Sequence, residues 1–275
     1  MTFGQRLEAA FAASGHLCVG IDPHPYLLDD WGLTDDAASL REFGLRVVDA
    51  SVGLVGLVKP QVAFFERHGS AGFAALEDVM RAARSAGLLV IADAKRGDIG
   101  STFDGYAQAW LTPGAPLEAD ALTVSTYLGV DSIAGTRDLA LANNKGLFVL
   151  AATSNPEAAA LQLAVTTSGS SVAAGIVDTV GEWNGTERLG SIGLVLGATV
   201  DLETYGISAG SIGRSPVLAP GFGHQGARFD QIVDLYGFAA PNVVVSASRS
   251  ILAAGPAEIR HAIKSQASEV AGAFQ

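Results

Sequence analysis

Eight short, almost continuous apolar runs recur along this chain at intervals wide enough for a helix between each pair, and few folds accommodate that pattern. The runs are Leu17–Asp22, Leu54–Lys59, Leu88–Asp93, Ala121–Ser125, Leu147–Ala152, Ile192–Leu196, Pro216–Ala219 and Val243–Ser246. Between several of them lie stretches with apolar residues three and four apart, such as Phe73, Leu76, Val79 and Met80, the spacing of one helical face. Similar stretches cover residues 37–52, 102–111, 135–143, 171–183 and 256–271. Strands that are apolar on both faces and alternate with helices belong to a parallel sheet covered on both sides. Eight such units in about 250 residues predict a closed (β/α)8 TIM barrel. An open doubly wound sheet is the alternative, because periodicity does not reveal closure. No Pro/Gly/Ser-rich linker interrupts the pattern, so residues 1–275 are read as one domain.

The charge balance narrows the partners. Seventeen Lys and Arg stand against 28 Asp and Glu, a net charge of −11, which argues against nucleic acid or an anionic membrane as the main partner. A small anionic substrate is still compatible if cations are placed for it. The apolar runs are too short to span a bilayer, and the opening MTFGQRLEAAFAASG lacks the basic-then-apolar order of a secretory signal. The lone Cys18 rules out an internal disulfide framework and a multi-cysteine metal site. A reducing cytoplasm is the expected location. Cys18 itself, inside the first run, reads as packed rather than nucleophilic.

Only four lysines are present, and two of them, Lys59 and Lys95, stand where an apolar run ends. In parallel barrels that is the side on which active sites are built. Asp22 ends the first run, Asp93 the third, Ser125 and Thr126 the fourth, Ser154 follows the fifth, Gln225 the seventh and Arg249 the eighth. Polar loop residues are expected there in any case, but two lysines converging with two aspartates are less easily ascribed to surface. Asp93 and Lys95 are two apart, so a strand would turn both toward one space. Asp98 falls at the turn into the next helix. An ordinary ion-pair network with Asp98 as helix cap is the competing reading. A lysine between carboxylates keeps its proton.

The loop Ala219-Pro220-Gly221-Phe222-Gly223-His224-Gln225-Gly226 has glycines that let backbone amides approach an anion. Ser246-Ala247-Ser248-Arg249 follows the next run. The loops after strands seven and eight are the usual phosphate site of such barrels, and an arginine fork suits phosphate oxygens. His24, His68, His224 and His261 lack metal-ligand spacing. Asp29-Asp30 and Asp35-Asp36 read as solvated surface, Ser168–Ser171 as a loop or helix cap, and the segment from Ser154 to Ser171 as a loop that could serve as a lid.

Asp93-Ala94-Lys95-Arg96-Gly97-Asp98-Ile99-Gly100-Ser101-Thr102 resembles the signature of the orotidine 5′-monophosphate decarboxylases. The resemblance extends through Asp22, Lys59, Ser154-Asn155-Pro156, Pro220-Gly221, Gly223, Gln225-Gly226 and Arg249. It implies a cofactor-independent, metal-free lyase of pyrimidine biosynthesis acting on a small nucleotide, orotidine 5′-monophosphate. It also implies a homodimer with shared sites. Lys59, Asp93 and Lys95 would come from one subunit, and Asp98 and Thr102 from its partner. Asp22 and Lys59 would hold ribose hydroxyls, and Ser154 the pyrimidine. Gln225 and Arg249 would hold the phosphate, helped by amides near Gly223 and Ser248. Lys95 would protonate C6 after carbon dioxide leaves.

Arg96-Gly97 and Ser125-Thr126 depart from the commonest family pattern, as does the long first loop from Pro23 to Ala38. These features are similar to a divergent bacterial branch and leave Arg96, Ser125 and Thr126 without an assigned role. Related barrels acting on sugar phosphates share Asp-x-Lys-x-x-Asp but hold magnesium with an acidic residue after strand two. Here that strand ends Lys59-Pro60-Gln61. A non-catalytic nucleotide-binding barrel is the third reading.

Overall fold

The structure is a computed structural model that describes residues 1–223 and 226–274. Eight parallel strands close on themselves in chain order. They are β1 (Leu17–Ile21), β2 (Leu57–Pro60), β3 (Leu89–Arg96), β4 (Ala121–Val124), β5 (Gly146–Ala152), β6 (Ile192–Leu196), β7 (Val217–Pro220) and β8 (Val243–Ala247). Pairing of β8 back onto β1 through Leu17 with Val245 and Cys18 with Ser246 completes the ring. The expected TIM barrel is therefore the fold, and the open sheet is excluded.

A helix α1 (Phe3–Ser14) precedes the barrel. The helices that follow the eight strands are α2 (Ala37–Ser51), α3 (Gly69–Ser85), α4 (Gly100–Leu111), α5 (Ala134–Ala142), α6 (Val172–Trp183), α7 (Ala209–Ile212), α8 (Ile232–Tyr236) and α9 (Gly255–Gly272). Local chemistry starts several of them. Asp36 accepts the Ser39 amide at 2.8 Å to cap α2, and Ser171 accepts the Ala174 amide at 2.9 Å to cap α6, each satisfying a donor the helix cannot pair internally. Helices α7 and α8 are too short for a periodic signal, which is why the sequence does not announce them.

Some elements differ from expectation. Strand β2 begins at Leu57 rather than Leu54, because the amides of Leu54 and Val55 turn back to Ser51 O at 3.1 and 3.2 Å. Strand β3 runs on past Asp93 to Arg96. The long loop after β1 contains a short helix, Pro25–Asp30. Of its acidic pairs, Asp36 is a cap and Asp35 pairs with Arg67 and His68.

Burial divides into two shells. A large apolar cluster lies between strands and helices. A smaller one, including Cys18, Leu57, Ile91, Ala121, Phe148 and Val244, fills the inside of the barrel. Helix α1 plugs its lower end, where the Phe3 ring meets Phe148 edge-on at 6.1 Å. Arg6 of α1 pairs with Asp120, which also accepts the Val90 amide at 2.9 Å. Lys145, another of the four lysines, is buried against Glu118 at 2.6 Å. That lysine is thereby structural.

His16 is stacked between Phe11 and Phe274, both centroids 4.0 Å away, and its Nδ1 meets Val243 O at 2.9 Å. Burial in this sandwich lowers its pKa below the ordinary 6.5, against the raising effect of the Val243 carbonyl. The unfolded chain then binds the proton first as pH falls, so the contribution of neutral His16 is present above 6.5 and lost below it. Thermal unfolding followed across this range should show a falling midpoint on acidification, and His16→Gln should flatten that limb. An unchanged slope in the variant would refute the assignment. Among the described residues no helix is long and apolar enough to cross a membrane.

Candidate active site

The inward positions that carry apolar residues low in the barrel become polar toward the carboxyl ends. Leu57 is followed two residues later by Lys59, and Ile91 by Asp93, as the two-residue period of a strand requires. The result is a cavity of about 370 Å³ whose lining includes Asp22, Lys59, Gln61, Asp93 and Lys95. Ser154, Ser246, Ser248 and Arg249 belong to its polar wall, and Leu150, Val195 and Leu218 to its apolar lining.

Asp93 is the centre of the charge arrangement. Its Oδ2 accepts from Lys59 Nζ at 2.7 Å, and its Oδ1 from Lys95 Nζ at 2.5 Å and Thr123 Oγ1 at 3.0 Å. Burial works against its charge, but the two ammonium groups outweigh it and hold the carboxyl well below the carboxylate range. Burial likewise opposes the charge of Lys59, and the nearby Asp93 and Asp22 overcome it, so its pKa is raised. Lys59 is enclosed and Lys95 half-exposed, with side-chain exposures of 7% and 46%. The pair thus presents one fixed inner cation and one cation facing the open space.

Strand alternation alone does not set the Lys95 position. Its φ of 47° lies in the left-handed region, which costs a residue with a Cβ about 1–2 kcal/mol. Pairing between β3 and β4 shifts register between Ala92 and Arg96, and the Lys95 amide bonds Thr123 Oγ1 at 2.9 Å. Thr123 belongs to none of the motifs that mark the site in the sequence. The available signal was a hydroxyl inside the otherwise apolar run Ala121-Leu122-Thr123-Val124.

Two cavity-lining atoms have no partner among the described residues: Asp22 Oδ1 and Ser248 Oγ, both buried. Unpaired buried acceptors and hydroxyls are costly, so these are places where a ligand group is wanted. Ser248 reaches this position over Gly20, where any Cβ would meet Ser248 Cβ at 2.6 Å. Arg249 opens the short helix Arg249–Leu252. Ser154 stands in the loop after β5, which Gln162 pins by accepting the Thr153 amide and donating to Thr153 Oγ1, both at 3.0 Å.

Other expected residues lie elsewhere. Gly223 has φ 71° and does not line the cavity. Its amide donates to Ala227 O at 2.9 Å, so the expected anion-facing amide is engaged within its own loop. Gln225, with His224, falls outside the described residues. Asp98 and Thr102 are absent from this cavity's lining. Asp98 is not the helix cap; its Oδ1 accepts the Ile99 amide at 2.8 Å, one residue ahead of α4. Arg96 turns outward to Glu66 at 3.1 Å and lies over the Tyr106 ring at 5.6 Å. Gly97 is set by close approach, since a Cβ there would meet Ser125 O at 2.6 Å. The Ser125 amide in turn bonds Arg96 O at 2.8 Å. Cys18 is buried and its thiol is pushed up to about 12 by that burial, which leaves it no nucleophilic role.

The family model described as orotidine 5′-phosphate decarboxylase / HUMPS matches residues 15–262. The chain belongs to this family. A protein of Salinispora arenicola named orotidine 5′-phosphate decarboxylase is 51% identical over 256 residues, covering 93% of this chain and 91% of the relative. One of the same name from Corynebacterium glutamicum is 45% identical over 282 residues, covering 99% of both. Among solved structures, a Streptomyces avermitilis protein assigned to the same enzyme superposes with a TM-score of 0.94 at 48% identity. That match covers 99% of this chain and 95% of the other. These relatives are enzymes, and their shared name supports decarboxylation in pyrimidine biosynthesis.

Proposed function

We propose that this chain removes carbon dioxide from orotidine 5′-monophosphate without a cofactor, and that Lys95 stabilises and then protonates the resulting anion. The observation that carries this reading is the row Lys59–Asp93–Lys95, joined at 2.7 and 2.5 Å, in the same cavity as Arg249.

When the bond from C6 to the carboxyl carbon breaks, its electron pair stays on C6 in an orbital the ring cannot delocalise. A fixed ammonium group beside C6 lowers the energy of that anion. Lys95 Nζ, facing the open side of the cavity, supplies this charge and then passes its proton to C6, leaving uridine 5′-monophosphate. Asp93, already held ionised, would lie against the departing carboxylate and repel it before the bond breaks. Lys59 keeps Asp93 in place from behind. Asp22, with its unpaired Oδ1, takes a ribose hydroxyl together with Lys59, and Ser154 takes the pyrimidine. Arg249 and Ser248 hold the phosphate, with Gln225 completing the grip; binding energy from that remote group stabilises the closed arrangement around C6.

The site is read as shared between two copies of the chain. Asp98 and Thr102 lie outside the cavity of their own subunit, while Ile99, next to Asp98 in the chain, is exposed, as are Tyr127 and Leu128; exposed apolar side chains of this kind mark interfaces. A cytoplasmic location fits the single buried Cys18.

Incubation of purified protein with orotidine 5′-monophosphate should show loss of substrate absorbance and release of uridine 5′-monophosphate. A chelator should leave the rate unchanged. No turnover by a folded protein would end the proposal. Activity lost to EDTA and restored by magnesium would favour the sugar-phosphate relatives instead. The lysine at the end of β2, where those relatives need an acid, argues against that outcome.

A further inference from the structure

The geometry points to Thr123 as a positioning residue for Lys95, setting both the backbone and the charge partner of the group that serves C6. The inference rests on the role proposed above for Lys95.

Thr123 sits on β4, buried, two residues above Ala121 of the inner barrel cluster. A hydroxyl has one proton to give and two lone pairs to accept with. Here Oγ1 accepts the Lys95 amide at 2.9 Å and lies 3.0 Å from Asp93 Oδ1. The competing acceptor, Ala92 O, is 3.5 Å away and uncharged, so the proton goes to the carboxylate, the shorter and charge-assisted bond.

This hydroxyl stands where the sheet ladder fails. The β3–β4 register shifts between Ala92 and Arg96, and Lys95 turns to φ 47°. The acceptor that its amide finds is a side chain rather than a strand carbonyl. Left-handed conformations at residues with a Cβ persist only where surroundings over-determine them. Thr123 provides that constraint, and it also fixes which Asp93 oxygen faces which lysine. With Oδ1 occupied by Thr123 and Lys95, Oδ2 is left to Lys59. One hydroxyl therefore couples the lysine's main chain to the carboxylate that its own ammonium group binds.

The test compares Thr123→Val, which keeps the shape and removes the hydroxyl, with Thr123→Ser, which keeps the hydroxyl, and Thr123→Ala as a second hydroxyl-free variant. Wild-type turnover of orotidine 5′-monophosphate is the reference; its absence sinks the proposed function, not the placement of Thr123. With turnover established, Val and Ala should lower kcat on the order of 10²-fold, the scale of a misplaced reacting group. The KM and the number of uridine 5′-monophosphate sites per chain should stay at wild-type values, because the phosphate and ribose contacts are untouched. Exchange of the C6 hydrogen of uridine 5′-monophosphate in D2O, read by NMR, should fall in parallel with kcat, since it needs the same ammonium group. Thr123→Ser should restore both. An unchanged kcat in Val and Ala, or an exchange rate that does not follow kcat, overturns the assignment. So does a loss of activity matched by a loss of binding sites, which would mean that Thr123 supports only the fold.

Discussion

Lys95→Ala should lower kcat for orotidine 5′-monophosphate on the order of 10⁴-fold, the upper range for removal of a general acid, and Asp98→Ala should be comparably inactive. Mixing the two inactive proteins should bring activity back. If the site takes Lys95 from one copy and Asp98 from the other, each mixed dimer has one site with both groups and one with neither. Random reassociation of equal amounts then yields about a quarter of the wild-type sites in a two-fold dimer. The structure supplies the reasons. Lys95 Nζ is bonded to Asp93 of its own chain, whereas Asp98 is absent from that cavity and its carboxylate accepts the neighbouring Ile99 amide. The β4 end is tied to the end of β3 through the Ser125–Arg96 bond, and Tyr127 and Leu128, just beyond β4, are exposed. Steady-state rates before and after mixing, with subunit exchange confirmed by a tagged copy, decide the matter. Persistent inactivity of exchanged dimers would falsify the shared site.

Lys59→Met should abolish turnover and also destabilise the fold by about 3 kcal/mol, because removing one member of a buried ion pair takes from the other its enclosed counter-charge. Asp93 would keep only Thr123 and the half-exposed Lys95. The pH dependence follows from the two shifts. Asp93 is depressed, so its contribution is present above the ordinary carboxylate value of 3.8 and is lost as pH falls through the lower folded value. Lys59 is raised, so its contribution is complete below the ordinary 10.5 and is lost as pH rises through the higher folded value. The wild-type contribution of the pair is thus a plateau between 3.8 and 10.5. Denaturant unfolding should show Lys59→Met below wild type throughout that plateau, with a smaller further loss on acidification. Equal stability at neutral pH would show that burying the pair brings no net gain over an apolar side chain.

The two variants test different parts of one arrangement. Lys95 faces the space where a ligand would sit, and Lys59 stands behind the carboxylate that both lysines share. Exposure separates them: the half-exposed lysine is open to the cavity, and the enclosed one is held charged by its neighbours. Thr123 adds a third constraint from the adjacent strand.

Much of this was legible in the residues alone. Eight apolar runs alternating with helical stretches specify the order of elements, because strand and helix periods are local properties of the chain. Of the polar residues that the sequence places at strand ends, Asp22, Lys59, Asp93, Lys95, Ser154, Ser248 and Arg249 line the cavity, whereas Ser125 and Thr126 do not. Closure of the ring was not local, since it depends on β8 finding β1 more than two hundred residues away. Tertiary contacts alone decided the rest. They turned Lys95 into a left-handed conformation at a register shift, recruited Thr123 from the next strand, and folded the Gly223 amide back onto Ala227. They also left Asp22 Oδ1 and Ser248 Oγ buried without partners. Sequence could name which charges gather at the mouth of the barrel, because a two-residue period fixes the face a side chain takes. It could not say how those charges are held, because that depends on donors and acceptors brought together from separate strands.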